Sequence, residues 1–193
     1  MDDDLFVRWE EWFMDVEESH ISHPSLLFFR SPHPERSWIT AAGCVLDTAA
    51  IRASTIDLPR NAQTDLVLRT GFFALRRIAD HFGMEYNADP TADSPISVTR
   101  REFDLLCVEL RAIDIPLKAD LDQAWRDYCG WRVNYDQVLI QLCGLVMAGG
   151  QPAPEDTPHA GPAGQPMTRV KGNDVHAQYA PSAHATPTAA GVT

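Results

Sequence analysis

The sequence predicts an all-α protein, with a single bundle of about five helices over residues 1–150 and a disordered tail over residues 151–193. Through the first 150 residues, apolar side chains return every three or four positions, which is the period of an amphipathic helix. No alternating apolar and polar run is long enough to require a strand, although residues 25–29 could form a short one. Residues 151–193 contain seven of the 14 prolines and no Leu, Ile, Phe or Trp, so they cannot bury enough apolar surface to offset the entropy of ordering.

The first helix is predicted near the beginning of the sequence. Its apolar residues share one face: Leu5, Trp9, Trp12 or Phe13, and Val16. Asp2 to Asp4 would lie at the positive end of the helix dipole, where negative charge is stabilising. Pro24 ends the region, because the residue before a proline avoids the helical conformation.

The second and third helices are separated by Pro59. The second is expected to begin near Pro34 and to present a stripe of mostly small residues, which permits close packing. The third follows Asn61 and ends at Gly83, which occupies the position of a helix-terminating glycine. Its stripe is the clearest in the sequence: Leu68, Phe72, Leu75, Ala79 and Phe82.

The remaining helices follow a loop that contains two prolines. Thr99 and Glu102 have the spacing of a capping box, so the fourth helix should begin there and end before Pro116. The last helical stretch is expected from about Leu117 to Met147. Gly130 could bend or break it.

Charge and composition exclude several classes of partner. The formal net charge is −11, and an acidic surface repels phosphate backbones, so nucleic acid is not expected as a partner. No segment has the roughly 18 consecutive apolar residues of a membrane span. The acidic start of the sequence does not resemble a signal peptide, so a cytoplasmic location is expected. There the four widely spaced cysteines would remain free and buried.

The connection between the first two helices has the richest mixture of polar and aromatic residues. The candidate binding residues lie in it or shortly after it: Glu18, His20, Arg30, Ser31, Trp38 and Asp47. Loops that carry function have this composition, and so do buried loops whose backbone needs side-chain partners.

Four interpretations of this connection are open. His20 and His23 could bind a metal, but no second ligand pair has a recognisable spacing, so neither a metal nor a cofactor is expected. Arg30 and Ser31 could hold an anion at the start of the second helix; the alternative is a salt bridge from Arg30 to Glu18 or Asp47. A serine nucleophile lacks the sequence of a nucleophile elbow, so no catalytic residue is assigned. Asp47 is interpreted as a buried partner of an arginine or histidine rather than as a functional carboxylate.

Arginines also recur on the third and fourth helices. They would form a basic patch only if the two helices presented them together: Arg69, Arg76, Arg77, Arg100 and Arg101. A solvated helix face is the commoner arrangement for such charges.

The order of motifs from Trp9 to Asp47 resembles the soluble C-terminal region of bacterial pore-loop, potassium-channel-like membrane proteins. The matching elements are Glu18-Ser19-His20, Pro24-x-Leu26-x-Phe28-Phe29-Arg30-Ser31, Ser37-Trp38 and Leu46-Asp47. The likeness continues more loosely through the helix around Phe72 to Phe82. Neither membrane spans nor a selectivity-filter sequence is present, so the resemblance implies no conduction.

The resemblance implies a non-enzymatic, cytosolic helical interaction or regulatory domain. Its expected partner is either a second copy of itself or a membrane channel subunit, through which it could associate with a membrane. The competing hypothesis is a protein or enzyme that binds a small anion at a cluster of Glu18, Arg30 and Asp47. Convergence of these side chains on an open cavity would favour the second hypothesis, and mutual hydrogen bonds would favour the first.

Overall fold

The computed structural model describes residues 3–28 and 37–148, and it confirms the all-α class. These ranges contain six α-helices: α1 Asp3–Ser22, α2 Trp38–Ser54, α3 Ala62–His81, α4 Arg100–Ala112, α5 Leu121–Arg132 and α6 Asp136–Ala148. Within them the only β pairing is an isolated bridge between Ile56 and Leu117. The predicted tail at 151–193 and the candidates Arg30 and Ser31 lie outside the described residues.

Helices α1, α2 and α3 form the centre of the bundle, and α1 packs mainly along α3. Phe13 of α1, Leu46 of α2 and Leu75 of α3 are fully buried in the same core. Burial of a large apolar side chain contributes about 1.5–3 kcal/mol, so this apolar core is the main source of stability. Gly71 permits the close approach, because a Cβ at that position would lie 2.8 Å from the ring of Phe13.

The predicted helix boundaries at Asn61, Gly83 and Thr99 are confirmed. Asn61 caps α3 by accepting hydrogen bonds from the backbone of Gln63 and Thr64. Gly83 adopts a φ of 66°, and the amides of Gly83 and Met84 donate to the last carbonyls of α3. Thr99 and Glu102 form the expected capping box of α4.

The last helical stretch, predicted from about Leu117 to Met147 with a possible bend or break at Gly130, consists of two helices, α5 and α6. The break lies at Val133 to Tyr135, just after Gly130, which itself remains helical. The side chain of Asn134 donates to the carbonyls of Gly130 and Trp131, at 2.9 and 3.2 Å. These bonds satisfy two of the carbonyls that a helix leaves free at its C-terminus, so they stabilise the break.

Other boundaries also differ from the sequence prediction. The suggested strand at 25–29 is wrong for its described part, because Pro24–Phe28 is a 3-10 helix that begins on the φ-restricted proline. The described part of α2 begins at Trp38, capped by Ser37, and ends at Ser54, before Pro59. Helix α4 ends at Ala112, where Asp114 adopts a left-handed φ of 59° and the amide of Ile115 donates to the carbonyl of Leu110.

Two further properties follow from the described helices. None of them is both long enough and apolar enough to cross a bilayer. The expectation that all cysteines are buried is wrong for Cys44, which is exposed on α2, whereas Cys107 of α4 is buried.

Candidate functional site

The candidate residues His20 and Trp38 meet where the end of α1 contacts the start of α2. The two ring centroids are 4.3 Å apart, and His20 is 6% exposed. Nδ1 of His20 lies 2.8 Å from the carbonyl oxygen of Val16, so this nitrogen carries the proton and donates it. Nε2 is buried without a hydrogen-bond partner among the described residues.

Burial lowers the pKa of His20, and the hydrogen bond to the Val16 carbonyl opposes this effect only in part. The imidazole is therefore neutral at neutral pH. The neutral imidazole of His20 packs against the indole of Trp38, and its Nδ1 is bound to the backbone of α1. This contact holds the end of α1 against the start of α2. Glu18 is exposed on α1 and does not join this contact.

Asp47 lies elsewhere, in a network of hydrogen bonds. It accepts from Nη1 of Arg132, and from the hydroxyl of Tyr135 at 2.8 Å. Arg132 also donates through Nε to Asp136, at 2.7 Å. The expectation that Asp47 pairs with an arginine is confirmed, and the arginine is Arg132; the expected burial holds only in part, because Asp47 is half-buried.

Asp136 extends the network to the loop before α4. It accepts from the backbone amide of Ser97 at 2.7 Å and from the Ser97 hydroxyl at 2.6 Å. Arg132 and Asp136 are both buried, at 6% and 5% exposure. We call Asp47, Ser97, Arg132, Tyr135 and Asp136 the Arg132 network; it joins α2, α5, α6 and the loop that precedes α4.

The electrostatics of the Arg132 network keep both Arg132 and Tyr135 protonated. Burial alone would lower the pKa of Arg132, but the charge of Asp47 and the hydrogen bonds to the two carboxylates raise it above its ordinary value. Burial, reinforced by the charge of Asp47, raises the pKa of Tyr135 well above 10.0. At neutral pH Arg132 therefore stays positively charged and Tyr135 stays a neutral phenol. Neither side chain can act as an acid or a base there.

A cleft of about 410 Å³ opens beside this network, and Asp47, Ser97, Glu102 and Tyr128 are among its lining residues. The Asp47 side chain is 35% exposed. Its carboxylate and that of Glu102 repel an anion, so this cleft does not fit the predicted anion site at Glu18, Arg30 and Asp47.

The described candidates do not converge on one site. Trp38 and Asp47 are nine residues apart on α2, which corresponds to about 13 Å along a helix axis. His20 lies at the Trp38 end. His20 and Trp38 pack against each other, whereas Asp47 belongs to the Arg132 network. Arg30 and Ser31 are outside the described residues.

Sequence reasoning missed the partners of Asp47. Arg132 and Asp136 have the four-residue spacing of a helical ion pair, and this signal was available in the sequence. Ser97 and Tyr135 carried no such signal. In the described part of the chain, no group of three His, Cys, Asp or Glu side chains could hold a metal ion.

No protein-family model, curated protein or solved structure matches this chain.

Proposed function

We propose that this chain is a non-enzymatic helical interaction domain that associates with a second copy of itself. The resemblance of residues 9–47 to the cytosolic regions of potassium-channel-like proteins supports an interaction or regulatory role in the cytoplasm. The observation that carries the proposal is a pair of apolar side chains, Leu105 and Val108, that are exposed to solvent on the outward face of α4.

Helix α4 has two apolar sides. Phe103 and Cys107 face inward and are buried. On the opposite side Leu105 and Val108 are 55% and 60% exposed, and Ile113, just beyond the helix, is 68% exposed. Contiguous exposed apolar patches mark surfaces of protein association, and Leu105 and Val108 supply the apolar part of such a surface on α4.

The charges of α4 favour a second copy as the occupant of this face. Copies of a chain with a net charge of −11 repel one another through most of their surface. Helix α4 carries three arginines and three carboxylates, so its own net charge is zero. Two copies therefore meet with the least repulsion through α4, where charges of both signs can form the polar rim of an interface.

The same geometry limits the expected size of the interface. A helix of 13 residues is about 20 Å long, so the interface falls at the low end of the size range of protein interfaces, where transient complexes lie. Sedimentation equilibrium across a hundredfold range of concentration should show a monomer and a dimer in exchange. Val108→Glu should shift the protein to the monomer, because it introduces a charge at the centre of the apolar face.

Ile140→Glu is the matched control. Ile140 is 50% exposed on α6, so this variant changes the net charge by the same amount away from α4. It should retain the dimer. A wild-type protein that stays monomeric throughout, or equal weakening by both variants, would contradict association through α4.

The competing hypothesis, an anion site at Glu18, Arg30 and Asp47, receives less support. Asp47 is bound by Arg132 and Tyr135, and its neighbouring cleft contains the carboxylate of Glu102. Among the described candidates, His20 and Asp47 therefore contribute to the packing of helices, whereas Glu18 is exposed.

A further inference from the structure

A second and larger cleft is lined by residues of α3, of α5 and of the end of α2. Its volume is about 780 Å³. Small-molecule sites in proteins have volumes of about 300–1,000 Å³, so the cleft has room for a ligand of ordinary size. Its lining side chains differ in charge from the rest of the chain.

The lining of this cleft is cationic. Five basic side chains line it, Arg52, Arg60, Arg69, Lys118 and Arg126, against two carboxylates, Asp65 and Asp127. Five minus two gives a local charge of +3, on a chain whose net charge is −11. Such a concave region concentrates anions from solution, and the surrounding acidic surface does not compete for them.

Most of these cations have no carboxylate partner. Arg60 is neutralised by Asp65, at 2.6 Å. Within residues 3–28 and 37–148, the other four basic side chains take part in no ion pair. Lys118 donates to the carbonyl of Ala53 at 3.0 Å, a contact that leaves its charge uncompensated.

Two buried donors in the lining are also unsatisfied. Thr64 is 1% exposed, and its hydroxyl has no hydrogen-bond partner in the described structure. The Nε atom of Arg52 is buried and equally without a partner. Buried polar groups in folded proteins are nearly always hydrogen-bonded, so two unsatisfied donors in one cleft indicate an acceptor that enters it.

The cleft also has aromatic walls. Phe73 is 49% exposed, and Trp131, on the α5 side, is half-buried. An exposed phenylalanine beside arginines offers a face on which a planar ring can stack. The combination of cations, hydroxyl and aromatic faces therefore fits a ligand that has both an anionic group and a flat ring.

We propose that this cleft binds a nucleoside phosphate. Arg52, Arg69 and the Thr64 hydroxyl hold the phosphate groups, because arginine and hydroxyl donors match phosphate oxygens. Phe73 and Trp131 hold the base by stacking. The site is distinct from the Arg132 network and from the α4 face, so its test is independent of self-association.

The direct test is isothermal titration of the full chain with ATP, and separately with inorganic triphosphate, both without divalent metal. ATP should bind, and its affinity should fall as salt rises, because screening weakens attraction between exposed charges. Inorganic triphosphate should bind more weakly, because it lacks the ring. If it binds as tightly as ATP, the assignment to nucleosides is wrong.

Arg69→Gln should weaken ATP binding by about tenfold, the loss expected for one charge-assisted contact. Arg69 is exposed, so the fold should tolerate the change. Arg111→Gln is the matched control, since Arg111 is an exposed arginine of α4 outside the cleft lining. It should leave the affinity unchanged.

Thr64→Val separates ligand binding from a structural role. Removal of an unsatisfied buried hydroxyl should leave the Tm of the free protein equal or higher, while ATP binding weakens by about tenfold. A lower Tm with unchanged ATP affinity would instead assign Thr64 to the fold. Absence of binding of ATP at millimolar concentration, or identical affinity in Arg69→Gln and wild type, would overturn the proposal.

Discussion

Asp47 and Arg132 are 85 positions apart in the sequence, and their ion pair connects α2 to α5. Arg132 is held on its other side by Asp136, and Tyr135 also donates to Asp47. Because Arg132 and Asp136 are buried, the loss of one member leaves a charge that water cannot easily solvate. The interactions of the Arg132 network therefore predict large effects on stability.

Arg132→Met should lower the free energy of unfolding by about 3–5 kcal/mol, because Asp136 would lose its buried counter-charge. Urea unfolding followed by circular dichroism measures the change. Arg126→Met, on the exposed side of α5, should change it by less than about 0.5 kcal/mol. If Arg132→Met and Arg126→Met lowered the free energy of unfolding by similar amounts, the Arg132 network would contribute no more to stability than an exposed arginine does.

His20 should make stability depend on pH. Burial lowers its pKa in the folded protein below the ordinary 6.5, so the unfolded chain binds the proton more readily. The contribution of His20 is therefore complete above about pH 6.5 and is lost as the pH falls toward the lower pKa of the folded state. In His20→Leu, unfolding measured between pH 7 and pH 5 should show a smaller decline than wild type; parallel curves would contradict the prediction.

Gly71→Ala should destabilise the protein by about 1–3 kcal/mol, although alanine is the better helix former. The new methyl would lie 2.7 Å from Leu46 and 2.8 Å from Phe13, inside the packed core. Gly144→Ala on α6 meets no atom within 4 Å, so it should raise stability by up to about 1 kcal/mol. Thermal unfolding of both variants tests the pair, and a stabilised Gly71→Ala would show that α1, α2 and α3 pack less closely.

Cys44 should be the fastest thiol to react with a disulfide reagent such as DTNB. Cys44 is exposed. Burial raises the pKa of Cys107, so Cys107 remains a protonated thiol, which reacts slowly. Burial also raises the pKa values of Cys129 and Cys143, which are half-buried. Cys44→Ser should remove the fast phase of labelling; a fast phase that persists would place a second thiol at the surface.

The helices were predictable where local chemistry determines them. The amides at the start of α4 are satisfied by Thr99 and Glu102, three residues apart, and the end of α3 requires the left-handed conformation that Gly83 adopts freely. The break between α5 and α6 was misplaced, because Asn134 bonds to backbone carbonyls and produces no apolar signal.

The site was less predictable than the fold. A polar residue on an apolar helix, such as Asp47, indicates that a partner exists but not where in the sequence it lies. The cationic cleft was also hidden, because Arg52, Arg69 and Arg126 come from three different helices. Only the tertiary arrangement brings Arg69 of α3 into the lining of one cleft with residues of α5.

The most direct measurement is a double-mutant cycle of Asp47→Asn and Arg132→Met, with the free energy of unfolding obtained from urea titration. If the two side chains hold α2 against α5, the double variant should lose less than the sum of the single losses, with a coupling of at least about 1 kcal/mol. Additive losses, within about 0.3–0.5 kcal/mol, would show that Asp47 and Arg132 act independently and would contradict their structural role.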